Sequence, residues 1–265
     1  MNKTATILIL IFLALTACRR NESCSCPPAV ADTTIVEEVK EDEAILYNNE
    51  NTDNQIVESE YGFVNLTDVV PDAILEMRYF GTYNFVGCRI DGYEEPVALL
   101  TRKAAEALLE VSDEVGAMGY RLLIYDAYRP KRAVRHIVRW AGDRADTLME
   151  PYFYPDTDKS RLFELGYLSS RSRHSRGSTV DLTLFDMATG KELDMGGAFD
   201  WFGVESHPSY RAGLTEEQYA NRMILRKAMM RHGFKPCGTE WWHFTLIDEP
   251  YPNRGFDFPV RKIEK

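Results

Sequence analysis

The segment SRHSRGSTVDLTLF, at positions 172–185, combines a polar turn with an apolar run and is central to the expected fold. Its second half predicts a short, largely buried strand over residues 180–185. Its first half places His174 seven residues before Asp181, and Gly177 between them gives the chain the conformational freedom to turn. We therefore expect the side chains of His174 and Asp181 to reach one point beside the strand.

A second segment, EWWHFTLI at positions 240–247, brings another carboxylate and another imidazole next to an apolar strand, which we expect over residues 241–247. Glu240 and His243 are three residues apart, so a regular strand would direct them to opposite faces and only a bend would bring them together. A catalytic zinc uses about three protein ligands and leaves one position open, and a remaining carboxylate can act as general base. Spacing alone does not decide which carboxylate takes which role. The spacing from His174 to Asp181 also occurs often by chance, and Glu-Trp-Trp-His is also compatible with an ordinary strand that places two tryptophans in the core.

The rest of the chain mixes helical and extended patterns without a regular β-α-β order. We expect helices over residues 101–118, from Pro130 onwards and from Thr215 to Gly233, and a buried strand over residues 120–128. The expected apolar faces are Ala104, Leu108, Val111, Val115 and Met118 in the first helix and Ala133, Val134, Ile137 and Val138 in the second. Because the sequence shows no internal repeat and no second linker, we predict a single α+β domain.

The composition restricts the class of partner. The 265 residues are enough for one sizeable core, and the hydrophobic share of 45% and charged share of 27% are typical of a globular protein. The formal net charge is −10, and the basic residues form no long run. A nucleic-acid partner is therefore not expected, and no pattern indicates an obligate protein partner.

The N-terminal residues resemble an export signal. Lys3 supplies a short positive region, and the apolar stretch over residues 7–15 is too short to span a bilayer. It leads into LTAC, which resembles a bacterial lipobox and implies a signal peptide at 1–17 and a lipidated Cys18 as the mature N-terminus. An ordinary signal peptide followed by a chance cysteine is the alternative. Both interpretations predict an extracytoplasmic protein, and the first anchors it to a bacterial membrane, in the periplasm or at the cell surface.

Residues 18–60 are acidic and have little apolar periodicity, so we interpret them as a flexible tether that follows the lipidated cysteine. The folded domain is expected over residues 61–265. Within it, Cys88 and Cys237 would either form a disulfide in an oxidising compartment or remain separate thiols, and the sequence leaves both outcomes open.

The pattern Ser-x-His-x-x-Gly-x-x-x-Asp followed by Glu-x-x-His resembles the zinc D-alanyl-D-alanine dipeptidases, the VanX-like family, which is related to the zinc D,D-carboxypeptidases. The segments YDAYRP at 125–130, MRY at 77–79 and NFVG at 84–87 also resemble that family, and the likeness covers about residues 61–250. The resemblance implies the zinc D,D-peptidase (hedgehog-like) fold, with a small antiparallel sheet flanked by helices in one domain.

Carried over by position, the resemblance implies that one Zn²⁺ per chain is held by His174, Asp181 and His243. Glu240 then matches the catalytic base, and Arg129 matches the arginine that stabilises the tetrahedral intermediate. This assignment resolves the choice between the two carboxylates that spacing leaves open.

The same resemblance places Ser172 and Asp200 near the substrate, with Asp200 facing a free ammonium, and Tyr79 in a segment on the substrate side. The implied activity is zinc-dependent hydrolysis of D-alanyl-D-alanine or a similar short D-amino-acid dipeptide in cell-wall peptide metabolism. The alternative is a D,D-carboxypeptidase or endopeptidase that acts on larger peptidoglycan fragments, which an open groove would favour over a small cavity. A binding module without catalysis is disfavoured because every catalytic position is filled.

Overall fold

The structure is a computed structural model that describes residues 58–264. The expected signal peptide, the lipidated Cys18 and positions 18–57 of the expected tether lie outside these residues. Among the helices of the described part, none combines the length and the apolar character required to cross a bilayer.

Strands and short helices alternate irregularly along the chain, in agreement with the predicted α+β class. The strands are β1 (Phe63–Asn65), β2 (Ile74–Leu75), β3 (Leu99–Thr101), β4 (Tyr120–Asp126), β5 (Thr179–Asp186), β6 (Lys191–Glu192), β7 (Phe234–Pro236) and β8 (His243–Leu246). The helices are α1 (Leu66–Val69), α2 (Arg102–Gly116), α3 (Lys131–Gly142), α4 (Glu150–Phe153) and α5 (Glu216–Arg231). The two strands expected over residues 120–128 and 241–247 are thus shorter than the apolar runs that suggested them.

The main sheet has the strand order β2-β4-β5-β8-β7, and β6 pairs with the end of β5. Its pairs are antiparallel, as expected, apart from the edge pair β2–β4, which is parallel. That pair is parallel because the chain between β2 and β4 crosses over through β3 and α2. β1 and β3 form a separate antiparallel ribbon.

The apolar faces of the first two helices agree with the predicted periodicity except at their ends. In α2 the four predicted positions from Ala104 to Val115 are fully buried, and the helix contacts β4 and α5. Met118 is exposed because the helix ends at Gly116 and Met118 lies in the following turn. In α3 the buried face continues to Trp140 and Ala141, whereas the predicted Val138 is exposed.

The third predicted helix begins where the sequence indicates. The Thr215 hydroxyl accepts a hydrogen bond from the Gln218 backbone N–H, and the Gln218 side chain accepts one from the Thr215 N–H. This capping box satisfies backbone donors that the first turn of α5 leaves without partners. The helix contacts β7, the strand that follows it, and so supports the edge of the sheet next to β8.

The structure bears on whether the two cysteines of the domain are paired. Cys88 is buried and Cys237 is half-buried, and no disulfide joins them. Of the two outcomes that the sequence leaves open, a disulfide between Cys88 and Cys237 is the one that the structure does not have.

Candidate metal centre

The register of the main sheet aligns three polar residues in one row across three strands. Asp126 of β4 lies opposite Asp181 of β5, and Asp181 lies opposite His243 of β8. The row depends on an irregularity in β4, where the register shifts between Ile124 and Asp126. A β-bulge of this kind changes which side chains point to one face, and here it brings Asp126 into line with Asp181.

His174 reaches the same row from the turn before β5. The turn is a 3₁₀ segment, Arg173–Arg176, and the Ser172 hydroxyl caps it by accepting a hydrogen bond from the His174 N–H at 3.3 Å. Gly177 ends it with φ of +80°, and a Cβ at this position would lie 2.2 Å from the Phe63 ring. The predicted turn therefore requires glycine for both its conformation and its space.

The imidazole of His174 is oriented by the backbone. Its Nδ1 lies 2.7 Å from the carbonyl oxygen of Ala127, which fixes this nitrogen as the N–H donor. Its Nε2, as the remaining nitrogen, points toward Asp181 Oδ2 at 3.2 Å and His243 Nδ1 at 3.2 Å. A backbone carbonyl that orients the second ring nitrogen is a common support for histidine ligands of metals.

These side chains form a compact set of metal donors. One ligand atom each from His174, Asp181 and His243 lies within 4.8 Å of the others. Asp181 Oδ1 is 3.0 Å from His243 Nδ1, yet it has no hydrogen-bond partner of good geometry within the described residues. A buried carboxylate oxygen without a donor is unfavourable, and a cation at this point would satisfy it.

The electrostatics of the set also favour a cation. Burial alone would raise the pKa of Asp181, but His174 and His243 hold this pKa well below its usual range. Burial would lower the pKa of His243, whereas the charged Asp181 carboxylate, 3.0 Å from its Nδ1, raises it. Two imidazoles and a carboxylate match the donor set of a catalytic zinc, so the residues fit that metal.

Glu240 lies beside the donor set, at the bend that the sequence required. It precedes β8, which begins at His243, and its Oε2 is 3.3 Å from His243 Nδ1. Because the chain is not yet extended at Glu240, the opposite-face rule for strand residues does not apply. Burial raises the pKa of Glu240 to about 7, opposed by His243 and reinforced by the charge of Asp181. The carboxyl is thus able to accept and release a proton near neutral pH.

Arg129 follows β4 and is held in place by a carboxylate that the sequence analysis did not single out. Its Nε donates to Asp126 Oδ2 at 2.9 Å, and its Nη2 lies 3.5 Å from Asp181 Oδ2. Asp126 is fully buried and also accepts a 2.6 Å hydrogen bond from the Tyr93 hydroxyl. An acidic residue at the end of a buried strand, three positions before the arginine, was the signal that could have identified it.

Tyr79 lies next to Arg129 and links it to Asp200. The Tyr79 hydroxyl donates to Asp200 Oδ2 at 2.9 Å, and the Arg129 guanidinium lies 4.7 Å from the centroid of the Tyr79 ring. Asp200 has φ of +60°, in the left-handed region that few residues other than glycine adopt and in which Asp is among the more frequent exceptions. Burial and the charge of Asp181 raise the pKa of Asp200 well above its usual range. A positive group bound next to this carboxyl would favour its charged form.

All eight predicted site residues therefore line one cavity of about 340 Å³, which we call the active-site cavity. They are Tyr79, Arg129, Ser172, His174, Asp181, Asp200, Glu240 and His243. Its lining also includes Arg171, Arg173 and Lys235, three exposed cationic side chains that sequence reasoning did not select. Lys235 is distant in sequence from Arg171 and Arg173, so no local pattern indicated that the three would line one cavity.

Comparison with known proteins gives a consistent result. A family model described as D-ala-D-ala dipeptidase, of the M15 peptidases, matches residues 59–261. A D-alanyl-D-alanine dipeptidase of Enterococcus faecium is 40% identical over 202 residues, which are 76% of this chain and 100% of that protein. The D-alanyl-D-alanine dipeptidase of Enterococcus faecalis is 41% identical, and the match covers 76% of this chain and 99% of that protein. That of Streptomyces coelicolor is 36% identical, with 75% of this chain and 98% of that protein covered.

A solved structure, a mutant of the vancomycin-resistance D,D-pentapeptidase VanY in complex with Zn(II), aligns with a TM-score of 0.34 and 14% identity. The alignment covers 60% of this chain and 78% of that one. This similarity is too weak to support an inference, so the family match and the sequence relatives carry the comparison.

Proposed function

We propose that this chain, which belongs to the D-ala-D-ala dipeptidase family of zinc peptidases, hydrolyses D-alanyl-D-alanine in the active-site cavity. The observation that carries the proposal is the convergence of His174, Asp181 and His243, with Glu240 beside them and a buried Asp200 across the cavity. The metal donors, a proton acceptor and an anchor for a free amino group thus lie within one small space.

In this proposal His174, Asp181 and His243 hold the zinc, which when bound supplies Lewis-acid polarisation of the scissile carbonyl and lowers the pKa of water. Glu240 accepts a proton from the attacking water and delivers it to the leaving amine. Arg129 faces the carbonyl oxygen as negative charge develops there, and its ion pair with Asp126 fixes the guanidinium before substrate arrives.

The walls of the cavity favour a free dipeptide over the tail of a larger fragment. Asp200 is only 6% exposed, and its nearest polar partner is the neutral Tyr79 hydroxyl. The ammonium of an unblocked dipeptide would supply the missing positive charge, whereas an acylated nitrogen would not. Ser172, at the cap of the His174 turn, lines the same space and is proposed to contact the substrate.

The test is hydrolysis by the purified protein of free D-Ala-D-Ala, N-acetyl-D-Ala-D-Ala and a muropeptide that ends in D-Ala-D-Ala. We expect release of D-alanine from the free dipeptide, its loss with a chelator and its recovery when Zn²⁺ is added back. Faster cleavage of the muropeptide would favour the carboxypeptidase alternative. No zinc-dependent release from any of the three would contradict the peptidase assignment.

We further propose an extracytoplasmic location, with a lipid on Cys18 and residues 18–60 as tether, in cell-wall peptide metabolism. The support is the sequence from Lys3 to Cys18, with its short apolar stretch and LTAC. Expressed at full length in a bacterium that processes lipoproteins, the chain is expected in the detergent-soluble membrane fraction. Cys18→Ala is expected to remove it from that fraction, and an unchanged distribution would contradict the lipid anchor.

A further inference from the structure

A second cavity of about 370 Å³ lies beside the active-site cavity and has no role in the proposed reaction. Its lining includes Arg78, Tyr125, Thr183, Phe199 and Trp241, and we call it the Arg78 cavity. Thr183 is two residues from Asp181 on β5, so strand alternation directs both side chains to the same face of the sheet.

Three polar atoms of this lining are buried and have no hydrogen-bond partner within residues 58–264. They are Arg78 Nε, Thr183 Oγ1 and Trp241 Nε1. Thr183 is 1% exposed and Trp241 is 5% exposed. Buried polar groups in native proteins are nearly always hydrogen-bonded, to protein, to ordered water or to a ligand, so three such atoms around one cavity mark a place that water or a bound group completes.

The donor character of these atoms defines the chemistry of that group. Arginine and the tryptophan indole nitrogen only donate hydrogen bonds, and a threonine hydroxyl can do so. The occupant must therefore present acceptor oxygens. The Arg78 guanidinium is held between the rings of Tyr83 and Tyr125, 5.2 and 5.0 Å from their centroids, and it pairs with Glu76 at 2.7 Å. It is thus fixed in position, as recognition of a carboxylate requires.

The rim of the cavity has the opposite charge. Glu192 and Asp194 are exposed side chains of the lining, and the Tyr125 hydroxyl donates to Glu192 Oε2 at 2.7 Å. Two carboxylates at the rim oppose an occupant that is purely anionic and favour one that also carries an ammonium. The aromatic wall, which includes Phe199, suits a small apolar side chain.

We propose that the Arg78 cavity binds a free amino acid, with its carboxylate on Arg78, Thr183 and Trp241 and its ammonium toward Glu192 and Asp194. The occupant that the proposed function makes available is D-alanine, the product of the reaction, so this identification rests on that function. The binding site itself rests on the geometry of the cavity.

Two residues that line the Arg78 cavity are direct sequence neighbours of active-site residues. Trp241 follows Glu240, and Phe199 precedes Asp200 and stacks on Tyr125 with centroids 4.6 Å apart. Occupancy that fixes Trp241 and Phe199 would therefore also restrain the proposed base and the proposed ammonium anchor.

The test is equilibrium dialysis of labelled D-alanine against the zinc-loaded protein, with Thr183→Val and Arg78→Met as separate variants and Tyr154→Phe as control. Tyr154 Oη is also buried and unpartnered within the described chain but is outside this cavity, so its removal controls for loss of a polar atom. We expect each cavity variant to lose one D-alanine site per chain or to bind there at least tenfold more weakly. The control should bind as the wild type does.

Two analogues test the charge assignment in the same assay. D-Alaninamide lacks the carboxylate and propionate lacks the ammonium, and each should compete at least tenfold more weakly than D-alanine. Unchanged D-alanine affinity and stoichiometry in both cavity variants, with thermal melting that shows them folded, would overturn the proposal. Because dialysis measures binding rather than turnover, this failure is distinct from a failure of the proposed hydrolysis.

Discussion

The active-site cavity and the Arg78 cavity share one face of the same sheet, yet their unsatisfied groups have opposite character. Counting partners among residues 58–264, the unpartnered atom of the metal donors is a carboxylate oxygen, Asp181 Oδ1. The unpartnered atoms of the second cavity are Arg78 Nε, Trp241 Nε1 and Thr183 Oγ1, each of which can donate a hydrogen bond. A lone buried acceptor calls for a cation, and a set of buried donors calls for an anion or a carboxylate. The unpartnered atoms, an acceptor in one cavity and hydrogen-bond donors in the other, therefore assign these two neighbouring cavities to different kinds of ligand.

Glu240→Gln tests the active-site side of this comparison with the largest expected effect. Loss of the proton acceptor should lower kcat roughly 10²- to 10⁴-fold, measured with free D-Ala-D-Ala. Zinc content should equal that of the wild type, because the proposed ligands are unchanged. Glu249→Gln removes a carboxylate that pairs with Arg176 outside the active-site cavity and should retain turnover. Normal turnover by Glu240→Gln would exclude Glu240 as the base.

Asp200→Asn tests whether the active-site cavity binds the ammonium of the substrate through Asp200. Loss of a charge-assisted hydrogen bond to the ammonium should cost about 1.5–3 kcal/mol, which lowers kcat/KM for the free dipeptide about 10- to 100-fold. The same change should have little effect on the N-acetylated substrate, which has no ammonium. Asp248→Asn, which changes an exposed carboxylate that pairs with Lys103 and lines neither cavity, is the matched control. Equal losses on both substrates would show that Asp200 does not bind the ammonium.

Asp126→Asn tests whether the buried carboxylate positions Arg129. The substitution leaves the guanidinium without its 2.9 Å ion pair, and we expect a loss of about tenfold in kcat with little change in KM. Removing one partner of a buried pair should also lower the free energy of unfolding by about 3 kcal/mol, measured by denaturant titration. Asp257→Asn, which breaks more exposed pairs with Arg132 and Arg135, should leave kcat unchanged.

Tyr125→Phe, in the Arg78 cavity, has the smallest expected effect and provides the contrast. It removes the hydroxyl that donates to Glu192 and keeps the ring that stacks on Phe199. Initial rates without added D-alanine should stay within about twofold of wild type, and the free energy of unfolding should fall by about 1 kcal/mol. A loss of turnover comparable to that of Asp126→Asn would show that the two cavities act as one site.

Much of the candidate site could be predicted from the sequence because its signals are local. The spacing of His174, Gly177 and Asp181 indicates a turn followed by a strand, and the structure has both. The roles of Glu240 and His243 came from the family resemblance, because their spacing left open whether the two side chains meet, and the structure brings them together at the bend before β8. The capping box at Thr215 likewise involves only neighbouring residues.

What the sequence determined by itself was therefore the class of fold, the helices with their caps, and the residue types that a metal site requires. Only the tertiary structure decided that a bulge in β4 aligns Asp126 with Asp181 and His243, and that Arg78, Thr183 and Trp241 surround a second cavity. The reason is physical. Turns, caps and periodicity depend on residues a few positions apart, whereas the register of strands and the walls of a cavity depend on how distant segments pack.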